Sequence, residues 1–511
     1  MLRRKLLIRS KSLNEGLHWM IGLQRRLGSG RRLLALVAAL ALSACAAMED
    51  QGDRPIAAEV PAAAPRTLGL ETPASAENQK MVALFGGEYH DAAAEHFVNG
   101  ILLKLAKAGD NPEQPYQVTV LNSPVVNAFA MAPDRIYVTR GLLALANDAS
   151  EVAAVMAHEI GHITARHAAL RAEEEKRAAL ITQAAAVIES RQKGEEVQAV
   201  ERRTLASFSR QQELEADEIG IRVMAKAGYD PYAAARFLTT LGRDSALRAS
   251  LFGQGSDVSK PDLLATHPST PERVEHAQDV ARQFGPPGTG ITDRTAYLAA
   301  IDGMMYGDDP ADGSIRGTTF IHPRLGFLFV APDGFVLENS AQAVLGVKTG
   351  GREALRLDSV RLDASTTLES YISSGWIEGL LPSTIETLDV NGMPAVTASA
   401  RAGEWNFRVA VIRFQGDQVY RMIFAVRNLD ADAEKRFRAS IESFRKTTPE
   451  EADDVKPLRI VIVTAQRGDS VESLSNKMAV ADHPLEHFEL INGLTGPGPL
   501  PAGEHYKIVT D

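Results

Sequence analysis

The chain has one cysteine in 511 residues, Cys45, so no intrachain disulfide can form. Long apolar runs are also missing. The run "LLALVAALAL", residues 33–42, is too short to cross a bilayer as a helix, and no run of 18 apolar residues occurs elsewhere. Basic surplus is absent as well. The formal charge is −10, and the first 44 residues hold nine Lys/Arg against one acidic residue, so the remaining 467 residues account for −18. An acidic body of that kind argues against nucleic acid as a partner. What is present is ordinary globular composition, 45% apolar and 23% charged, with chain enough for several cores.

Arg31 and Arg32, the apolar run, and small residues before a break form a secretory signal pattern over residues 1–44. The run ends in "LSAC", which resembles a bacterial lipobox. That resemblance implies cleavage before Cys45, lipidation of Cys45, and a membrane partner reached through the lipid. Ala46, rather than Asp, follows the cysteine and implies sorting to the outer membrane. Residues 45–78 are rich in Ala and Pro without apolar periodicity and read as a flexible tether.

Residues 79–285 read as mainly helical with a small β-sheet, whose second part, "VVNAFAMAPDRIYVT", suggests a hairpin turning at Pro133, Asp134 and Arg135. A charged helix is expected over 169–189 and another long helix over 196–227, with a final helix near Pro271 capped by Thr270. The Gly/Asp/Pro-rich stretch 286–316 reads as a linker. Residues 317–446 change to alternating strands with a closing helix, an α+β domain with an antiparallel sheet and no catalytic constellation; His322 there reads as structural. Residues 447–457 are a charged linker, and 458–511 follow a small β-α-α-β pattern.

The chemistry concentrates in "VMAHEIGHITARH", Val155–His167. Residues four apart share a helix face, so His158 and His162 can hold one metal ion, with Glu159 placed to reach a water on it without ligating. Val152, Val155, Met156, Ile160 and Ile163 form a separate packing stripe. His167, at the end of this segment, lies too far along a continuous helix to share the ion and reads as structural. A catalytic zinc takes three protein ligands and leaves a fourth position open. "SRQQELEADEIG" offers Glu213, Glu215, Asp217 and Glu218 for the third; Glu213 and Asp217 share a face, Glu215 lies roughly opposite, and spacing alone permits either face.

Four blocks occur in order: "NAFAMAPDRIYVTRGLL", "ASEVAAVMAHEIGHITARH", "SRQQELEADEIG" and "THPSTPERV". Together they resemble the HtpX-like/CAAX-prenyl-protease family of zinc metallopeptidases, and the exported form is similar to its soluble periplasmic BepA-like branch. The resemblance implies a zincin-type domain of the gluzincin kind with one Zn2+. It implies Glu213 as the third ligand and Asp217 as the carboxylate that orients a ligand histidine. His267 would bind an oxyanion or occupy the fourth metal position at rest, and Arg273 would support the same region. The substrates implied are proteins or peptides. The family's hairpin turn is often Gly-rich where this chain has Pro133, Asp134 and Arg135.

Within residues 458–511, "GDSVESLS", "FELING" and "LPAGEHYKIV" resemble a LysM-type domain, which implies binding to N-acetylglucosamine-containing glycans such as peptidoglycan. The inserted "GPGP" and an acidic helix depart from that pattern. The leading expectation is a lipid-anchored periplasmic zinc endopeptidase of envelope protein quality control. Two alternatives are a chaperone or scaffold for outer-membrane protein assembly whose zinc site is shut by His267, and a peptidoglycan-binding anchor protein.

Overall fold

A computed structural model describes residues 73–131, 134–173, 176, 209–252, 263–340, 343–348, 352–480 and 483–511. The signal segment, Cys45, Pro133 and the stretch 177–208 lie outside the described residues.

The first helix, α1, spans Pro73–Leu84 and begins inside the stretch read as tether; proline is tolerated in a first helical turn because its missing N–H has no partner there anyway. Helix α2, Ala92–Ala108, is capped by the Asp91 carboxylate and buries Val98, Ile101, Leu102 and Leu105. Strands β1 (Gln117–Leu121), β2 (Ala128–Met131) and β3 (Arg135–Thr139) form a sheet in the order β1-β3-β2. The expected hairpin is the antiparallel β2–β3 pair, whereas β1 joins β3 in parallel, which leaves β2 at the edge. A short helix, α3 (Arg140–Leu145), runs into α4 (Ala149–Thr164), the helix that carries the histidines. Helix α5 (Arg210–Lys226) starts at a capping box built by Ser209 and Gln212, α6 spans Ala233–Phe252, α7 Leu263–Thr266, and α8 (Pro271–Arg282) is capped by Thr270 as expected.

Residues 286–316, read as a linker, contain helix α9 (Arg294–Ile301) and strands β4 (Met305–Tyr306) and β5 (Ser314–Arg316). Tyr297 in α9 is fully buried. The Gly, Asp and Pro residues mark turns between these elements rather than an unpacked connection.

The α+β region has two antiparallel sheets. One runs β11-β12-β13-β14-β10-β9-β8 through β8 (Phe335–Asn339), β9 (Ala343–Lys348), β10 (Glu353–Arg361), β11 (Glu386–Val390), β12 (Met393–Ala402), β13 (Trp405–Gln415) and β14 (Gln418–Val426). The other runs β15-β7-β6-β5, with β6 (Thr319–His322), β7 (Phe327–Val330) and β15 (Arg445–Lys446). Phe320, Phe327 and Phe329 of the smaller sheet pack against Leu355, Ile412 and Phe424 of the larger one. Phe437 and Ile441 of helix α11 (Ala431–Glu442) join them; helix α10 (Leu368–Ile372) covers the larger sheet's other face.

Residues 447–457 hold a short helix, α12 (Pro449–Asp453). The C-terminal part shows the expected β-α-α-β order: β16 (Leu458–Thr464), α13 (Val471–Ser475), α14 (Pro484–Ile491) and β17 (His505–Thr510). Its sheet is completed by β4, which pairs with β16, and its Ile460 and Leu490 belong to the same core as Val152 and Met156 of α4. Residues 78–511 accordingly form one compact unit. No helix among the described residues is long and apolar enough to cross a membrane.

Candidate metal centre

Helices α4 and α5 cross with almost no space between their backbones. A Cβ on Gly161 would stand 2.7 Å from the Ala216 carbonyl oxygen, and one on Gly220 would stand 2.9 Å from the His158 amide nitrogen. Glycine at both positions lets the helices approach closely enough for α5 to deliver Glu213 to the histidines of α4.

His158, His162, Glu213 and His267 are all buried, and one ligand atom from each lies within 4.8 Å of every other. His158 Nε2 is 3.0 Å from His162 Nε2 and 3.3 Å from His267 Nδ1. Glu213 Oε1 is 2.9 Å from His267 Nδ1 and 3.6 Å from His162 Nε2. Tetrahedral zinc with ligand bonds of about 2.0–2.1 Å has ligand atoms roughly 3.3 Å apart. The observed spacings cluster around that edge length. Three imidazole nitrogens and a carboxylate oxygen converging away from water also make a poor hydrogen-bonded core, and they are the donor set zinc prefers. The residues present fit the metal.

Charge supports the same reading. Burial works against a charged His158, but Asp217 and Glu213 outweigh it and favour positive charge at this place. Burial and the neighbouring His158 push His162 far down, keeping it neutral and able to ligate. Burial also disfavours the Glu213 carboxylate, yet His158 and His267 hold it ionised far below its ordinary range.

Around the cage, Asp217 Oδ1 lies 2.9 Å from His158 Nδ1, the nitrogen facing away from the cage. Arg273 Nε and Nη2 each donate to Asp217 at 2.8 Å, and Arg273 Nη1 stands 2.7 Å from Glu213 Oε2. Arg273 therefore braces the Glu213 and Asp217 carboxylates together. Glu159 is buried beside the cage, not in it. A backbone N–H of Ala130, in edge strand β2, hydrogen-bonds its carboxyl. Its Oε1 has no hydrogen-bond partner among the described residues and lies 3.8 Å from His267 Nε2. Burial pushes the Glu159 pKa up from its ordinary value.

The structure thus brings together His158, Glu159, His162, Glu213, Asp217, His267 and Arg273. His267 Nδ1 sits at the fourth vertex of the cage. The Leu263 N–H donates to the Val126 carbonyl, 3.0 Å away and just upstream of β2, which ties the segment carrying His267 to the sheet edge. Cys45 lies outside the described residues.

Residues 93–281 match the model of Peptidase family M48, and this span contains every residue of the centre. Over 207 residues the chain is 31% identical to the beta-barrel assembly-enhancing protease of Escherichia coli (strain K12), covering 39% of this chain and 41% of that one. It is 35% identical over 158 residues to the mitochondrial metalloendopeptidase OMA1 of Arabidopsis thaliana, covering 31% of this chain and 30% of the relative. It is 29% identical over 173 residues to the metalloprotease LoiP of Escherichia coli (strain K12), covering 32% and 63%. The chain spans about two fifths of the length of the first of these relatives.

Proposed function

We propose that this chain is a zinc-dependent metalloendopeptidase of the bacterial cell envelope that hydrolyses peptide bonds in misfolded or unassembled proteins. The observation that carries the reading is the buried cage of His158, His162 and Glu213 with Glu159 beside it. The match of residues 93–281 to a peptidase family supports it independently. Zinc held by His158, His162 and Glu213 would polarise a peptide carbonyl and lower the pKa of a bound water.

The remaining steps belong to the chain's own residues. Glu159 takes the water's proton on its unpartnered Oε1 and passes it to the leaving amine. Strand β2 is the edge of its sheet and reaches Glu159 through Ala130, so an extended substrate pairing with that edge lies across the base. His267 leaves the fourth vertex to admit the substrate and then donates a hydrogen bond to the oxyanion developing on it. Arg273 and Asp217 hold the ligands still.

The lipobox-like "LSAC" supports a periplasmic chain anchored by lipid on Cys45 to the outer membrane. Two acyl chains suffice for stable anchoring. The β-α-α-β module resembles a LysM domain and is read as a contact to peptidoglycan; co-sedimentation of the full chain with purified sacculi tests this, and full recovery in the supernatant would rule it out.

The decisive test of the peptidase reading is Glu159→Gln, which preserves shape and removes the base. It should bind zinc as the parent does and cleave casein at least about a hundredfold more slowly. Equal cleavage by the two proteins would sink the assignment.

A further inference from the structure

His167 lies five residues beyond His162. On an unbroken helix it would be about 7.5 Å further along the axis and on a different face. The helix breaks first. Ala165 closes α4, and Arg166 adopts a left-handed conformation with φ of 57°. The chain folds back, and His167 Nδ1 arrives 2.9 Å from His162 Nδ1, with the two rings nearly perpendicular at 72°. His167 is 1% exposed. Its other nitrogen, Nε2, lies 3.3 Å from Glu215 Oε2 on α5, a carboxylate half open to solvent.

We infer that His167 is a positioning residue for the metal centre: it fixes the tautomer and ring direction of His162 and is itself fixed by Glu215. The inference rests on reading His162 as a zinc ligand. His162 presents Nε2 to the cage, 3.0 Å from His158 Nε2. A neutral imidazole that ligates through Nε2 carries its proton on Nδ1. That proton must be donated, and the atom facing it is His167 Nδ1. His167 then accepts at Nδ1, carries its own proton on Nε2, and donates it to Glu215. Every proton in the chain His162–His167–Glu215 is assigned by that single constraint.

The result is a centre braced at both histidines, in two different ways. His158 is held directly by the Asp217 carboxylate, and His162 through an intervening imidazole. All three supporting or ligating carboxylates come from one stretch of α5: Glu213 ligates, Glu215 supports the His162 side and Asp217 the His158 side. Partners of this kind orient ligand rings and raise their basicity, and losing one typically costs about 10–100-fold in metal affinity.

Two nearly isosteric variants test it. Asparagine carries an oxygen where histidine has Nδ1 and can still accept from His162; leucine has the same shape and cannot. In the full chain, zinc affinity measured by chelator competition should fall about 10–100-fold in His167→Leu and stay within a few-fold of the parent in His167→Asn. The visible spectrum of the Co2+-substituted protein should shift in the leucine variant alone. Equal losses in both variants would make His167 a packing residue, and parental affinity in both would remove its role; either overturns the inference. If the parent itself binds no zinc, the metal-centre reading fails first and this one with it.

Discussion

His322 shows how a single buried imidazole sets a pH limit outside the metal centre. Its ring packs beside Phe320 and Phe327 in the α+β region, and its Nδ1 accepts the Leu325 N–H at 3.3 Å. Accepting requires a lone pair, so protonation breaks that bond as well as placing charge beside the rings of Phe320 and Phe327. Burial, helped by Arg324, pushes its pKa down to about 4. Between that value and an unfolded-state value of about 6.5 the unfolded chain binds more protons, so stability rises with pH across this window. The contribution is complete above about 6.5 and lost as pH falls through 4. His322→Asn keeps an acceptor and removes the titration. Relative to that variant, the parent should lose stability between pH 7 and pH 4 in urea unfolding; parallel pH profiles would count against it. At this scale much of the metal centre was legible. The i, i+4 rule alone pairs His158 with His162 and Glu213 with Asp217. His167 was not legible, because the argument from helix geometry assumes a helix, and Arg166 ends it with a left-handed turn that neither propensity nor periodicity signals.

Elements meet where side chains permit, and the crossing of α4 and α5 depends on two glycines that spacing arguments pass over. Gly161 lies inside "HEIGH" and Gly220 closes "EADEIG", and each faces the other helix's backbone. Gly100, in the middle of α2, faces open space. The same substitution should therefore have opposite signs. Gly100→Ala gains helix propensity and should stabilise the chain by up to about 1 kcal/mol. Gly161→Ala gains the same propensity but drives a methyl into the Ala216 carbonyl, a packing cost of about 1–3 kcal/mol. Displacing Ala216 also moves Glu213 one turn earlier on α5. Gly161→Ala should lower both the melting temperature and zinc affinity, while Gly100→Ala leaves zinc affinity alone. A Gly161→Ala protein with parental zinc affinity would show that the crossing tolerates a wider gap. Glycine's role here was hidden in the sequence because no local pattern reveals which backbone lies opposite. The 286–316 stretch was misread for a related reason: its turn residues are local, and the burial of Tyr297 is not.

Across the whole molecule, the C-terminal module is joined to the helical region that carries the metal-site candidates by a buried lysine. Lys507 on β17 is fully buried, and its Nζ donates to the carbonyl oxygens of Ala144, at 2.9 Å, and Ala146. These carbonyls end α3, two residues before Asp148 caps α4, the helix that carries His158 and His162. The Tyr297 hydroxyl accepts from Lys507 at 3.1 Å and donates to Leu143 O at 2.7 Å, so α9 is drawn into the same knot. Burial pushes the Lys507 pKa well down, Arg294 adds to that, and the Glu151 and Asp148 carboxylates oppose both. Around the knot, Arg243 donates to the Leu494 carbonyl at 2.7 Å and Arg294 to the His505 carbonyl at 3.3 Å. A module that served only to reach for glycan would not need its last strand to finish a helix of the region before it. Lys507→Met keeps the length of the side chain and removes every donor, leaving the α3 carbonyls buried without that partner; about 2 kcal/mol of stability should go with them. Because the knot spans both regions, the loss should appear in both. Hydrogen exchange should quicken at the amides of α3 and the first turns of α4 as well as in β16 and β17. Faster exchange confined to residues 458–511 would refute the coupling and return the module to independence.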